Sequence, residues 1–162
     1  MSVGVTESAK RGTVLSCCIS VKKGTRKVPV DSIEVCVGEG IKGDAHARNW
    51  HRQVSLLGNE SVDTMREKGA QLHPGDFAEN ILTSGLVLRE FPVGTVFAIG
   101  DALLAVTQIG KVCHHDCEIR KLIGTCVMPT EGIFTVVLRG GIIKPGDSIR
   151  VVDAKELLHE TN

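Results

Sequence analysis

Glycine sets the rhythm of this chain. Eighteen of its 162 residues are glycine, against four Phe, one Trp and no Tyr, so its strand-like runs are short, aliphatic and cut off by turns. TVLSCCISV (13–21), VFAIG (96–100), ALLAVTQIG (102–110) and SIRVV (148–152) are rich in β-branched and small apolar residues and end at glycine or polar turns. Val28 and Val30 bracket Pro29 in what reads as an irregular edge, and Ile33, Val35 and Val37 alternate with other residues before Gly38 and Gly40. VFAIG and ALLAVTQIG, separated by Asp101, read as one antiparallel hairpin, and FTVVLRGGII with SIRVV, joined through Pro145, Gly146 and Asp147, as another. One short helix is expected after Gly58, with Asn59 as its cap, Val62 and Met65 on one face and Gly69 at its end. The pattern points to a mostly β fold: a closed or partly closed antiparallel β-barrel with a few short peripheral helices, in one domain over residues 1–162 with its core at about 12–153.

Reactive side chains concentrate elsewhere. CHHDCEIRKLIGTC, from Cys113 to Cys126, holds three of the six cysteines and two of the six histidines. Sulfur and imidazole donors suit thiolate chemistry or a borderline-soft metal. Asp116 as a cap, the spacing of Ile119, Leu122 and Ile123, and Gly124 as a stop predict a short helix. Cys113 then lies just before a helix N-terminus, where the dipole and the neighbouring His114 or His115 favour the thiolate. Cys117 falls within the first turn. The spacing is not that of a CxxC redox pair, and no second pair completes a structural zinc site. Buried thiols packed as small hydrophobes are the bland alternative for all three cysteines.

Composition and missing motifs exclude several classes. Nineteen basic residues balance nineteen acidic ones, so no global field draws the chain to nucleic acid or to an anionic membrane, and any anion site must be local. The first residues contain no apolar signal region and no run approaches a membrane span. A cytoplasmic location with reduced thiols is expected. Gly38 to Gly43 has the glycine spacing of a phosphate-binding loop, but Asp44 and Ala45 stand where Lys and Ser or Thr are required. No GxGxxG, GxSxG or HExxH occurs. In GIKGDAH, Lys42, Asp44 and His46 are candidates to converge on a ligand, with a polar turn as the alternative.

The ordered set of GIKGDAH (40–46), RQVSLL (52–57), HPGDFAENI (73–81), PVGTVFAIGDALLAVTQ (92–108), the Cys113 segment and RGGIIKPGDSI (139–149) resembles the molybdenum cofactor sulfurase C-terminal (MOSC) domain family, in its compact stand-alone form. The resemblance extends over about nine tenths of the chain. The resemblance implies a barrel-like, mostly β fold. It also implies that Cys113 is the characteristic reactive cysteine, a persulfide carrier or a ligand to molybdenum of the pterin cofactor. Members with the metal reduce N-hydroxylated compounds with electrons from a separate protein.

By the same resemblance, Lys22, Lys23 and Arg52 are candidates to hold the cofactor's phosphate, and His46 and Asn80 to meet its pterin edge. Two departures stand out: Val112 replaces the proline common before the cysteine, and Ala78 replaces the glycine of the usual GEN triplet. His114, His115 and Cys117 exceed what one molybdenum ligand needs and are alternative metal ligands, so a zinc- or iron-binding module competes with the sulfur and molybdenum readings. A non-catalytic accessory in biosynthesis or delivery of the molybdenum cofactor, partnered by another protein of that route, is a third reading. No lysine motif supports pyridoxal phosphate.

Overall fold

The computed structural model describes residues 10–111, 127–153 and 155–157. The Cys113–Cys126 segment, and with it the helix expected there, lies outside the described residues. Among the described residues eleven strands form: β1 (Arg11–Ile19), β2 (Val28–Val30), β3 (Ile33–Cys36), β4 (Gly40–Ile41), β5 (Val54–Gly58), β6 (Ile81–Ser84), β7 (Val96–Ile99), β8 (Ala102–Ile109), β9 (Ile133–Arg139), β10 (Gly141–Ile143) and β11 (Ser148–Val152). Helix α1 (Asn59–Arg66), a 3-10 turn at Leu88–Glu90 and helix α2 (Met128–Glu131) are peripheral. None of the described helices is long and apolar enough to cross a membrane.

Seven strands close a barrel in the order β1, β11, β7, β8, β9, β5, β6 and back to β1. Closure comes from β1, which pairs β11 through Arg11, Gly12 and Thr13 on one side and β6 on the other. Its far end carries β2, where Pro29 opposite Cys18 sits on an edge strand, the position in which its missing N–H costs least. A second sheet, β10-β3-β4, packs beside the barrel. The barrel read from the sequence is therefore present, and the VFAIG–ALLAVTQIG hairpin is the β7–β8 pair.

Three local expectations give way. The second hairpin does not form: β10 pairs β3 and β11 pairs β7. The Pro145–Asp147 turn instead docks on β1, with Val14 N–H donating to Asp147 O and Gly146 N–H to Val14 O, both at 2.8 Å, which sends the flanking strands into different sheets. Asn59 is the first helical residue rather than the cap, a place taken by Gly58. Its carboxamide oxygen accepts from Arg66 Nη1 at 2.8 Å instead. Finally, β5 and β6 run parallel, with Leu56 opposite Ile81. Helix α1 is the crossover that a parallel pair requires.

The barrel interior is aliphatic because the chain has little aromatic material. Val14, Leu56, Ile81, Phe97, Ile99, Leu104, Ile133 and Ile149 are almost wholly excluded from water. Phe91 meets Phe97 edge-on at 5.3 Å. Leu57, Val62, Leu72, Phe77, Leu82 and Phe134 form a second cluster with α1 outside the barrel wall. Covered on both faces, β5 is buried at all five positions, hence its mainly apolar character, broken only by the hydrogen-bonded Ser55.

Candidate functional site

Because β5 and β6 are parallel, the segments entering them begin at the same end of the barrel and lie side by side. Ser55 and Asn80 clasp them: the Asn80 Oδ1 accepts from Ser55 N–H at 3.0 Å and Ser55 Oγ at 3.2 Å, while its Nδ2 donates to Cys18 O at 3.1 Å. Between residues 46–55, the 77–80 turn, the Lys23–Gly24 loop, Lys111 and the rings of Phe77 and Phe134 is a cavity of about 270 Å³. Of the residues expected to bind a cofactor, Lys23, His46, Arg52 and Asn80 line it, and Lys22 does not. Lys22 belongs to the turn beside it, its carbonyl accepting from Ser20 Oγ and Thr25 Oγ1. Asn80 spends most of its hydrogen-bonding capacity on the clasp, so its part in the cavity is largely to hold the walls together.

The cavity's charge is one-sided. Among the described residues Lys23, Arg48, Arg52 and Lys111 line it and no carboxylate does, in a chain whose charges overall cancel. Among the described residues none of these four makes an ion pair with an acid. Trp50, the only tryptophan, gathers three of them: its ring centroid lies 3.9 Å from Arg48 Cζ, 4.7 Å from Arg52 Cζ and 5.9 Å from Lys23 Nζ. Each cation over the ring face contributes about 0.5–2 kcal/mol, which offsets part of the repulsion among them. Among the described residues Arg52 Nε, which is buried, has no hydrogen-bond partner. An unmet donor of this kind beside a cluster of cations suits an oxyanion.

Behind the cavity wall lies a group that sequence reasoning missed. Lys27 is buried with its Nζ 2.7 Å from Asp44 Oδ1, the two side chains 1% and 0% exposed. Asp44 also accepts from Ser20 N–H and His46 N–H, each at 3.1 Å. Burial alone would raise its carboxyl, but the Lys27 ammonium at 2.7 Å and the Ser20 backbone N–H outweigh that and hold it well below the usual carboxylate range. Lys42, expected to converge with Asp44 and His46, turns outward to Glu34 at 3.2 Å. Glu79 is also internal: burial pushes its carboxyl up to about 7, against the backbone N–H groups of Gly75 and Phe77 that it accepts.

Ala78, the residue standing in for glycine, has φ +62°. This left-handed conformation costs a residue with a Cβ roughly 1–2 kcal/mol, and it occurs in the cavity wall. Ala78→Gly is expected to stabilise the fold by about 0.5–1 kcal/mol, the relief of strain exceeding the added chain entropy. Urea titration of both proteins checks this; a destabilised glycine variant would mean that the lost methyl packing outweighs the strain.

The signal for Arg48 and Trp50 was present in HARNWHR (46–52), where basic residues alternate around one tryptophan. Lys111 gave none. Cys113, His114, His115, Cys117 and Cys126 lie outside the described residues. Among the described residues no group of three or more His, Cys, Asp or Glu is arranged to hold a metal ion.

Comparison with solved structures finds the same fold in other proteins. The YuaD protein of Bacillus subtilis superposes with a TM-score of 0.71 at 20% identity, over 87% of this chain and 95% of that one. YiiM from Geobacillus stearothermophilus gives 0.62 at 20% identity, covering 88% and 73%, and YiiM from Escherichia coli 0.63 at 21%, covering 88% and 70%. No curated protein sequence matches significantly. The family model of the MOSC domain matches residues 43–150, a span that begins at the Asp44 turn, includes Arg48, Trp50, Arg52, Asn80 and Lys111, and ends in the last barrel strand. With two thirds of the sequence under that model and the barrel closed as described, this chain belongs to the MOSC domain family.

Proposed function

We propose that the cavity binds the molybdenum-pterin cofactor by its phosphate end, and that Cys113 is the reactive sulfur, as molybdenum ligand or as carrier of a persulfide. The observation that carries this reading is the cation-lined cavity, whose lining residue Arg52 keeps a buried Nε with no hydrogen-bond partner among the described residues. Arg48 and Arg52 offer planar forks to phosphate oxygens, and Lys23 and Lys111 add point charges. The Trp50 ring holds the guanidinium groups in place before the ligand arrives, so less ordering is needed on binding. Lys111 lines the cavity, and Cys113 follows it by two residues in the chain. When bound, the cofactor supplies redox chemistry at molybdenum. As a carrier, the Cys113 thiolate would attack the outer sulfur of a donor persulfide, forming the new S–S bond and releasing the donor's thiolate.

A cytoplasmic location, where such thiols stay reduced, belongs to this reading. So does a separate electron-transfer or cofactor-biosynthesis partner, as the family resemblance implies. The reduction of N-hydroxylated compounds is the enzymatic form of the proposal, and cofactor delivery its carrier form.

Titrating purified molybdenum-pterin cofactor into wild-type and Arg52→Ala protein tests the anion site. A charge-assisted hydrogen bond contributes about 1.5–3 kcal/mol, so affinity is expected to fall roughly ten- to a hundredfold. Unchanged affinity in a folded variant removes Arg52 from the site. Metal analysis separates the alternatives: stoichiometric zinc or iron would support a metal-binding module at the 113–126 segment instead.

The thiols give an independent test. Burial, with Asp147 for Cys17 and Glu79 for Cys18, pushes both up to about 12, so both stay protonated at neutral pH. Brief alkylation of native protein should therefore label Cys113 first and leave Cys17 and Cys18 untouched until the fold is opened with denaturant. Early labelling of Cys17 or Cys18 on peptide mapping would place the reactive centre elsewhere.

A further inference from the structure

The buried ion pair does more than hold the wall, because its geometry dictates which edge of His46 is left to the ligand. A lysine ammonium has three hydrogens and no lone pair. Those of Lys27 have three matched acceptors: Asp44 Oδ1 at 2.7 Å, Ser20 Oγ at 3.2 Å and His46 Nδ1 at 3.2 Å. Ser20 Oγ commits its own hydrogen to Lys22 O at 2.9 Å, so towards Lys27 it can only accept. Nδ1 of His46 is in the same position: facing an ammonium, it offers a lone pair. Asp44 Oδ2 lies 3.7 Å from Nδ1, too far to receive a proton from it, and takes the His46 backbone N–H at 3.1 Å instead.

The plane of the imidazole is fixed as well. It stacks on Trp50 with centroids 6.2 Å apart and 3° between planes, and Trp50 Nε1 donates to His46 O at 3.0 Å. With Nδ1 turned inward, Nε2 is the nitrogen left to the cavity that His46 lines. Among the described residues Nε2 has no partner.

We infer that His46 is a neutral hydrogen-bond donor to the ligand, locked in the Nε2–H tautomer by Lys27, so that the site selects an acceptor oxygen or nitrogen at that place. Lys27 is a positioning residue that acts through His46. In this state Nε2 carries a hydrogen and no free lone pair, so it neither ligates a metal nor removes a proton from a substrate. The inference rests on the cofactor reading above for the identity of the ligand, and on geometry alone for the tautomer.

Long-range proton–nitrogen correlation spectra of the full chain, labelled with nitrogen-15 histidine, read the tautomer directly. The His46 signals are assigned by their loss in His46→Gln, or by through-bond correlation to the backbone if that variant does not fold. The expected pattern is an unprotonated Nδ1 with a protonated Nε2. A protonated Nδ1 overturns the inference whatever the cofactor titration shows. In that titration His46→Gln, which keeps an amide donor, should stay within about threefold of wild type, and His46→Leu should weaken binding about three- to tenfold. A leucine variant that binds like wild type overturns the donor role while leaving the Arg52 result standing. Failure of the wild-type protein to bind the cofactor removes the function reading, and the spectra still decide the tautomer.

Discussion

Replacing Lys27 by methionine is expected to destabilise the protein by about 3–5 kcal/mol, because it leaves the Asp44 carboxylate buried without its countercharge. For a domain of this size that is a fall of roughly 6–20 °C in Tm. The carboxylate cannot escape to water, since its side chain is fully enclosed and ties down the backbone at Ser20 and His46. Lys27→Met with Asp44→Asn removes both charges and should recover much of the loss, since neutral replacements of a buried pair are tolerated far better than a broken one. Thermal melts followed by circular dichroism on the three proteins separate the cases. A single variant within about 1 kcal/mol of wild type would mean that water reaches Asp44 and that the pair is not the closed unit described here.

Gly75→Ala should be at least as damaging, and by a different route. Gly75 has φ +88°, already unfavourable for alanine, and an added methyl would collide with the Lys27 carbonyl, whose carbon is 2.7 Å from the Cβ position. That carbonyl belongs to a backbone held in place, with Lys27 N–H donating to Gly75 O at 2.9 Å, so nothing flexible can move aside. Gly75 N–H also donates to the buried Glu79 at 2.6 Å. Loss of more than about 4 kcal/mol is expected, in the range where a fold of ordinary stability is largely lost. Soluble yield and chemical denaturation measure it. A glycine elsewhere with open space around it, Gly69, serves as a control for φ alone: Gly69→Ala should cost only about 1–2 kcal/mol.

These two residues also mark where the sequence stopped being readable. The barrel strands were legible because β-branched runs between glycine turns carry their own signal, and β7–β8 needed nothing from the rest of the chain. The fate of β10 and β11 depended on a turn docking onto β1, more than a hundred residues away in sequence, which no local pattern records. The parallel β5–β6 pair was hidden for the same reason, and with it the cause of the site: two entering segments brought together at one end of the barrel. Lys23, His46, Arg52 and Asn80 were named through the family resemblance, and the structure brings the four to one cavity. Lys27 was not, because lysine is almost never buried and a run of basic residues at 22–27 reads as a solvated turn. Burial alone turns one of those lysines into an internal cation.

The seam between β1 and β11 has a consequence for how the chain is made. Synthesis proceeds at about 5–20 residues per second, so β1 leaves the ribosome on the order of ten seconds before the strand that closes the ring beside it exists. During that interval the flank of β1 that will meet β11 at Arg11, Gly12 and Thr13 is an open edge, able to pair with any extended chain nearby. Closure cannot be hurried by local structure, since it joins the two most distant strands of the barrel. The vulnerable species in the cell is thus the nascent chain that still lacks β11, and a pause in translation anywhere between β1 and Ser148 would prolong its exposure.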